Sequence, residues 1–177
     1  LTEAPLLVGH SRGGVVVTVY AAGAAAAAVV NVDQSLRFGD FAAALTPLEG
    51  ALRGDGFPEA LTAIFASMQG DRLDEATTRL LMSHREHARQ DVVLGVWDLV
   101  FSTPAADLDA LVAQLGPAIE APYLALHGLP LALGYVEWLH GIIPGAVIEE
   151  WPGDGHYLHL VDPDRFVARL RTFFASA

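Results

Sequence analysis

The pentapeptide at residues 9–13 constrains the fold of this chain more than any other feature. It reads Gly-His-Ser-Arg-Gly and matches the pattern G-x-S-x-G. An apolar run at residues 5–8 precedes it, and a β-branched run beginning at Val15 follows it. Such a pattern between a buried strand and a helix is typical of a nucleophile elbow, a tight turn that lifts a serine hydroxyl above the end of a parallel sheet. A plain glycine-rich turn is the alternative.

Because this turn is tight, each of its residues has an expected role. We expect a Cβ at Gly9 or Gly13 to collide with neighbouring backbone, so that only glycine fits there. Ser11 is then the candidate nucleophile. The backbone N–H of Arg12, at the start of the following helix, is the candidate donor to the oxyanion of an acyl intermediate.

The rest of the chain reads as two α/β segments separated by helices. Apolar runs predict strands and helical periodicity predicts helices; the strands are expected at residues 5–8, 29–32, 123–126 and 146–151, and the core helices at 15–22, 135–140 and 163–174. We therefore predict an α/β core formed by residues 1–33 and 117–177.

Residues 34–116, called here the helical insertion, carry apolar residues at helical spacing throughout. Thr103-Pro104 is typical of an N-cap followed by proline at the first helical position, and Gly116-Pro117 of a helix end. The apolar run at residues 15–30 is too short and too rich in alanine for a membrane span, so a buried helix and strand are expected there.

A serine nucleophile needs a base, and seven histidines are available. His156 is the best placed, because it follows the last predicted strand in the sequence Gly-Asp-Gly-His, where a loop can bring an imidazole over the carboxyl edge of the sheet. A surface-loop role is the alternative for His156. For His159, three residues later, we expect a structural role.

These motifs together resemble the α/β-hydrolase superfamily, most of all its small bacterial esterases and meta-cleavage hydrolases. The resemblance rests on Ser11 in Val-Gly-His-Ser-Arg-Gly-Gly and on His156 in Gly-Asp-Gly-His-Tyr, followed by Leu-Val-Asp-Pro at residues 160–163. It implies the C-terminal part of that fold, with parallel strands 5–8, flanking helices and an all-helical cap inserted after the sixth strand.

The resemblance also implies that the first four strands of the fold are missing. The loop that donates the second oxyanion N–H belongs to that missing half. A sheet that begins at its central strand exposes an apolar edge. We therefore expect either a fragment of a longer protein or a partner that covers this edge.

The acid of the implied Ser-His-acid triad is not in its usual place. In this family the acid commonly follows the seventh strand, but residues 129–136 contain no carboxylate. Some members carry it after the sixth strand, and the resemblance places Asp33 there, where it would orient His156 and stabilise the imidazolium. The alternatives are that Asp33 only caps the start of the helical insertion, or that Asp98 or Asp154 is the acid.

The implied function is a serine-dependent hydrolase that cleaves a small or medium apolar ester, lactone or C–C bonded diketone, with no cofactor and no metal. Ser11 would attack, His156 would accept and return the proton, Asp33 would orient His156, and the Arg12 N–H would stabilise the oxyanion. Perhydrolase or haloperoxidase chemistry remains open on the same triad. The other alternative is a catalytically inactive fragment or a ligand-binding relative.

Composition limits the partners. A formal net charge of −11 lacks the basic surface that nucleic-acid binding requires. The absence of cysteine excludes disulfides and thiolate metal sites and fits a cytoplasmic protein, although secreted bacterial enzymes also lack cysteine. No membrane partner is expected. The pair His84 and His87 has helical spacing that suits a metal, but a solvated charged face is the simpler interpretation.

Overall fold

One parallel β-sheet lies at the centre of the protein. A computed structural model describes residues 3–176; residues 1, 2 and 177, which belong to the predicted core segments, lie outside the described part. Within it the sheet has four strands in chain order: β1 (Leu6–His10), β2 (Ala28–Val32), β3 (Tyr123–His127) and β4 (Val147–Glu150). Every strand pair is parallel, which confirms the predicted strand order.

Helices connect all of these strands. In chain order they are α1 (Arg12–Gly23), α2 (Phe38–Leu45), α3 (Glu49–Arg53), α4 (Phe57–Ser67), α5 (Glu75–Arg85), α6 (Gln90–Ser102), α7 (Ala105–Leu115), α8 (Tyr135–Ile142), α9 (Leu158–Val161) and α10 (Pro163–Ser176). Three 3-10 turns lie at Thr46–Leu48, Gly116–Ala118 and Gly155–Tyr157. The helices α2–α7 all lie between β2 and β3, so the helical insertion is helical as predicted.

The two central strands are buried on both faces, as expected for a sheet covered by helices on each side. Every residue of β2 and β3 is buried. Because side chains alternate along a strand, Val29 and Tyr123 pack with α1 and α8, whereas Val30 and Leu124 pack with α10 on the opposite face. The helical insertion has its own apolar core, which includes Leu52, Leu61 and Leu108.

One helix start differs from the prediction. Thr103 and Pro104 were expected at the N-cap and first position of a helix, but α7 begins at Ala105 with Pro104 as its N-cap and no side-chain capping bond. Thr103 is extended, with φ −114° and ψ 132°. The helix starts one residue later than expected because Pro104, with φ −54° and ψ 138°, is itself non-helical and takes the N-cap position.

The outer edge of β1 is open. Among residues 3–176, β1 pairs only with β2, and Leu6 and Val8 are about half exposed. The neighbouring helix α1 exposes Val16 and Val19 in the same way. An unpaired, apolar strand edge of this kind is a liability for a protein in water, as expected for a sheet that begins at its central strand.

No helix within residues 3–176 is long and apolar enough to cross a membrane. The apolar run at residues 15–30 is instead divided between α1 and β2.

Two leucine-to-alanine substitutions test this description of the sheet. Leu124 is fully buried, so Leu124→Ala removes packed methyl groups and leaves a cavity, and we expect the free energy of unfolding to fall by about 2–5 kcal/mol. Leu6 is 52% exposed, so Leu6→Ala should cost no more than about 0.5 kcal/mol. Urea unfolding followed by circular dichroism measures both. Equal losses would mean that the outer edge of β1 is covered in solution.

Candidate active site

Ser11 occupies a strained turn between β1 and α1. Its φ of 54° and ψ of −130° lie outside the regions that residues with a Cβ prefer. The Ser11 N–H donates to the carbonyl of Val32 at 2.9 Å, which continues the β1–β2 ladder one residue beyond the strand. Strain of this kind persists only where the surrounding structure enforces it, and it concentrates at functional sites.

The glycines beside Ser11 are needed for different reasons than expected. A Cβ on Gly9 would lie 2.1 Å from the carbonyl oxygen of Gly13, so glycine is required at position 9 as predicted. The same prediction for Gly13 is wrong, because nothing lies within 4 Å of a Cβ placed there. Gly14 is the second required glycine, since a Cβ on it would lie 2.2 Å from Asn31 Oδ1.

Asp33 lies directly after β2, beside Ser11 at the carboxyl edge of the sheet. Its side chain is almost fully buried, and Oδ1 accepts hydrogen bonds from the backbone N–H groups of Gly128 at 2.7 Å and Leu129 at 3.0 Å. These two residues follow β3. No carboxylate directly follows β3. Instead, two backbone N–H groups after β3 hold the Asp33 carboxylate, which comes from the end of the neighbouring strand β2.

His156 lies on the 3-10 turn after β4, and its ring meets the other oxygen of Asp33. The His156 Nδ1–H donates to Asp33 Oδ2 at 2.7 Å, and the His156 side chain is 7% exposed. A neutral imidazole that donates from Nδ1 keeps an unprotonated Nε2 with a free lone pair. The arrangement can therefore accept a proton at Nε2 while the carboxylate stabilises the resulting charge.

The pKa of Asp33 reflects opposing influences. Burial alone would raise it, but the hydrogen bond from His156 and the backbone N–H groups of Leu129 and Gly128 outweigh burial and hold the pKa below its usual value. The carboxylate is consequently ionised at neutral pH.

Ser11, Arg12 and His156 share this edge of the sheet without a direct bond between serine and histidine. Among the hydrogen bonds of residues 3–176, none joins the Ser11 hydroxyl to the His156 ring, whose Nδ1 is bonded to Asp33. Such contacts are often long before substrate binds. Arg12 is the first residue of α1, so its N–H has no acceptor within that helix.

His10 is a site residue that the sequence reasoning missed. Its Nε2–H donates to the backbone carbonyl of His156 at 2.7 Å, and its ring lies 4.6 Å from that of His156 and 4.4 Å from that of His159. Burial, and then the charge of a protonated His156, lower the pKa of His10 to about 4. The position of His10, one residue before Ser11, was the only sign in the sequence that it lies at the site. Its hydrogen-bond partner, His156, lies on a loop 146 residues away.

The other candidates lie away from this edge or make structural contacts. Asp98 pairs with Arg53 on the surface of the helical insertion, and Asp154 is buried in contact with Arg72 and Arg165. His159 packs between His10 and Phe166.

The candidate metal ligands are not assembled into a site. His84 and His87 are exposed on the helical insertion. Within residues 3–176, no group of three or more histidine, aspartate or glutamate side chains is arranged to hold a metal ion.

The lowered pKa of His10 predicts how stability depends on pH. Unfolded histidine binds a proton near pH 6.5 and folded His10 only near pH 4, so the unfolded state binds more protons in this window and stability falls as pH drops through it. Burial lowers the pKa of His127 and His159 in the same direction. His10→Gln keeps an N–H donor but takes up no proton, so it should reduce the loss of stability.

Urea unfolding at pH 7 and pH 4.5 measures this loss. The exposed His84→Gln is the matched control and should behave as the unmodified chain. A His10→Gln variant whose stability falls as steeply as that of the control would contradict the assignment.

Comparison with known proteins identifies the family of the chain. The sequence model of the alpha/beta hydrolase family matches residues 1–169. No curated protein matches the chain.

Solved structures with a similar fold include a lactone-degrading enzyme, an esterase and a third enzyme described as a hydrolase. The N-acyl homoserine lactone degrading enzyme Est816 is 21% identical, with a TM-score of 0.64 over 97% of this chain and 68% of that chain. The esterase RhEst1 from Rhodococcus sp. ECU1013 is 22% identical, with a TM-score of 0.59 over 97% and 65%. The hydrolase olei00960 from Oleispira antarctica is 15% identical, with a TM-score of 0.70 over 99% and 67%.

The chain thus spans about two thirds of the length of these structures, and identities this low show a shared fold. The family match covers nearly the whole sequence and agrees with the parallel sheet. The chain belongs to the alpha/beta hydrolase family.

Proposed function

We propose that this chain carries the catalytic triad of a serine hydrolase, with Ser11 as nucleophile, His156 as base and Asp33 as the acid that orients the base. The observation that carries the proposal is the 2.7 Å hydrogen bond from His156 Nδ1 to a buried carboxylate that lies beside Ser11. This bond leaves Nε2 of His156 as the proton acceptor on the side where a serine hydroxyl is needed.

The proposed reaction has two steps. The Ser11 Oγ bonds to the carbonyl carbon of the substrate while its proton passes to His156 Nε2, and the Arg12 N–H stabilises the oxyanion. The bond from carbon to the leaving group then breaks, and His156 returns the proton to that group. Water hydrolyses the acyl-enzyme by the same route, with His156 as base, and restores the Ser11 hydroxyl.

The proposed substrates are small or medium apolar esters, lactones or C–C bonded diketones. Two structures of similar fold support acyl chemistry, since one degrades an N-acyl homoserine lactone and the other is an esterase. The serine at the nucleophile elbow also argues against those members of the family that use a carboxylate nucleophile. A cytoplasmic location is part of this proposal, and a sequence without cysteine is compatible with it.

The open edge of β1 supports a second proposal about how the site is completed. One backbone N–H, that of Arg12, is a weak oxyanion hole, because such holes usually have two donors. We propose that a further segment or a partner pairs with β1 and supplies the second donor. Without that second donor we expect substrate turnover to be slow, although His156 still activates Ser11.

A fluorophosphonate probe tests whether Ser11 is activated. We expect a stoichiometric adduct on Ser11, located by peptide mass spectrometry, because the probe reacts only with a serine that a base has activated. Ser11→Ala should abolish the adduct and His156→Ala should nearly abolish it, whereas Ser35→Ala, a serine just beyond the same edge, should leave it unchanged. The absence of an adduct would favour the inactive alternative.

Asp33→Asn tests whether Asp33 acts as the acid of the triad or only has a structural role at the start of the helical insertion. The amide can still accept from Gly128 and Leu129, but it cannot stabilise the imidazolium, so we expect probe labelling to slow by about 10³- to 10⁴-fold. Asp98→Asn, on the surface of the helical insertion, is the control. Labelling at an unchanged rate in Asp33→Asn would show that Asp33 only holds the backbone together.

A further inference from the structure

A short segment of the helical insertion contacts the loop that carries His156. This segment, residues 68–72, links α4 to α5, and we call residues 152–157 the histidine loop. The His156 N–H donates to the carbonyl of Met68 at 2.7 Å, and the Asp71 N–H donates to the carbonyl of Gly153 at 3.2 Å. Two backbone hydrogen bonds therefore join segments that are far apart in sequence.

Glycines allow the two backbones to approach this closely. A Cβ on Gly70 would lie 2.7 Å from the Gly155 nitrogen, and a Cβ on Gly155 would lie 2.4 Å from the Gln69 carbonyl oxygen. Both glycines also have positive φ, at 76° and 62°. The contact is thus built from conformations that only glycine adopts easily.

An ion pair closes the same contact. Arg72 Nη1 lies 2.5 Å from Asp154 Oδ1, and the Asp154 side chain is 0% exposed while that of Arg72 is 52% exposed. Within residues 3–176, the other oxygen of Asp154 has a longer contact, to Arg165 Nη1 at 3.5 Å. Because a buried carboxylate without a close partner is unfavourable, we expect the burial of Asp154 to depend mainly on Arg72, its closer partner.

A second arginine of the helical insertion contacts the residue on the other side of His156. The Arg85 guanidinium, at the end of α5, lies between two aromatic rings, 5.0 Å from the centroid of Phe65 and 5.8 Å from that of Tyr157. Contacts of a cation with ring faces at this range are attractive. The helical insertion therefore holds Asp154, His156 and Tyr157, all within the histidine loop.

We propose that Arg72 is a positioning residue, which holds the histidine loop through Asp154 so that the orientation of His156 toward Asp33 depends on the helical insertion. The role in catalysis rests on the proposed function of His156. Without Arg72, the buried Asp154 carboxylate lacks its close partner. It then moves toward solvent, and the histidine loop moves outward with it. His156 then loses both its bond to the Met68 carbonyl and its alignment with Asp33.

A structural measurement tests the positioning directly. Arg72→Met keeps the aliphatic part of the side chain and removes the charge; Arg79→Met, which removes an exposed arginine paired with Glu75 on α5, is the matched control. We expect amide hydrogen exchange at His156 to rise at least about tenfold in Arg72→Met and the His156 Nδ1–H resonance to broaden in NMR spectra. His156 exchange equal to that of the control would overturn the proposal.

A second variant keeps the test decisive if Arg72→Met folds poorly. Asp154→Asn removes the buried charge that requires Arg72, so the Arg72→Met change should have a much smaller effect on His156 exchange in that background. Effects of the same size in both backgrounds would mean that Arg72 does not act through Asp154, which contradicts the proposal.

Probe labelling gives the catalytic readout, measured well below the unfolding temperature of every variant. We expect Arg72→Met to label Ser11 roughly 10- to 100-fold more slowly, as a misplaced catalytic group would, and Arg72→Lys to recover part of the rate. Labelling at the rate of the unmodified chain would contradict the catalytic part of the proposal. If the unmodified chain is not labelled, the proposed function fails, and the exchange measurement still decides whether Arg72 holds the loop.

Discussion

The Asp33 carboxylate lies almost entirely inside protein, where an ionised group is tolerated only if donors surround it. Its donors come from two elements besides its own strand: backbone N–H groups of Gly128 and Leu129 after β3, and the ring of His156 after β4. The carboxyl ends of three neighbouring strands therefore meet on one side chain. A shift of any of these elements would leave a buried charge without a partner, which is why this edge of the sheet has one arrangement.

The same edge shows what a single sequence can and cannot predict. The strand segments, the helical insertion and the Ser11 turn follow from local patterns, because hydrophobic period and turn chemistry are local properties. The order of the strands in the sheet came from the family resemblance. The hydrogen bond of His10 to His156 joins residues 146 positions apart, and the ion pair of Arg72 with Asp154 joins residues 82 apart. Neither residue type nor spacing encodes such contacts. The mistaken expectation for Gly13 has the same origin, since the crowding at Gly14 comes from Asn31 on another strand.

The histidine loop and its surroundings contain both buried histidines and buried carboxylates. His10, His127 and His159 are buried enough that their pKa values fall and they stay neutral. Asp33 and Asp154 are carboxylates held by donors and by arginines. At neutral pH these histidines therefore add no positive charge beside the Asp33 carboxylate.

The placement of Ser11 and Asp33 on one strand–helix–strand unit bears on how the protein acquires its site as it folds. These two residues meet through local pairing of β1 with β2, which closes a short loop. His156 must cross 123 residues to reach Asp33, and its loop rests on the helical insertion. A chain emerging from the ribosome would thus form the serine turn long before His156 can reach Asp33. Under the proposed function, a partly folded chain would carry Ser11 without its base until the last strand has docked.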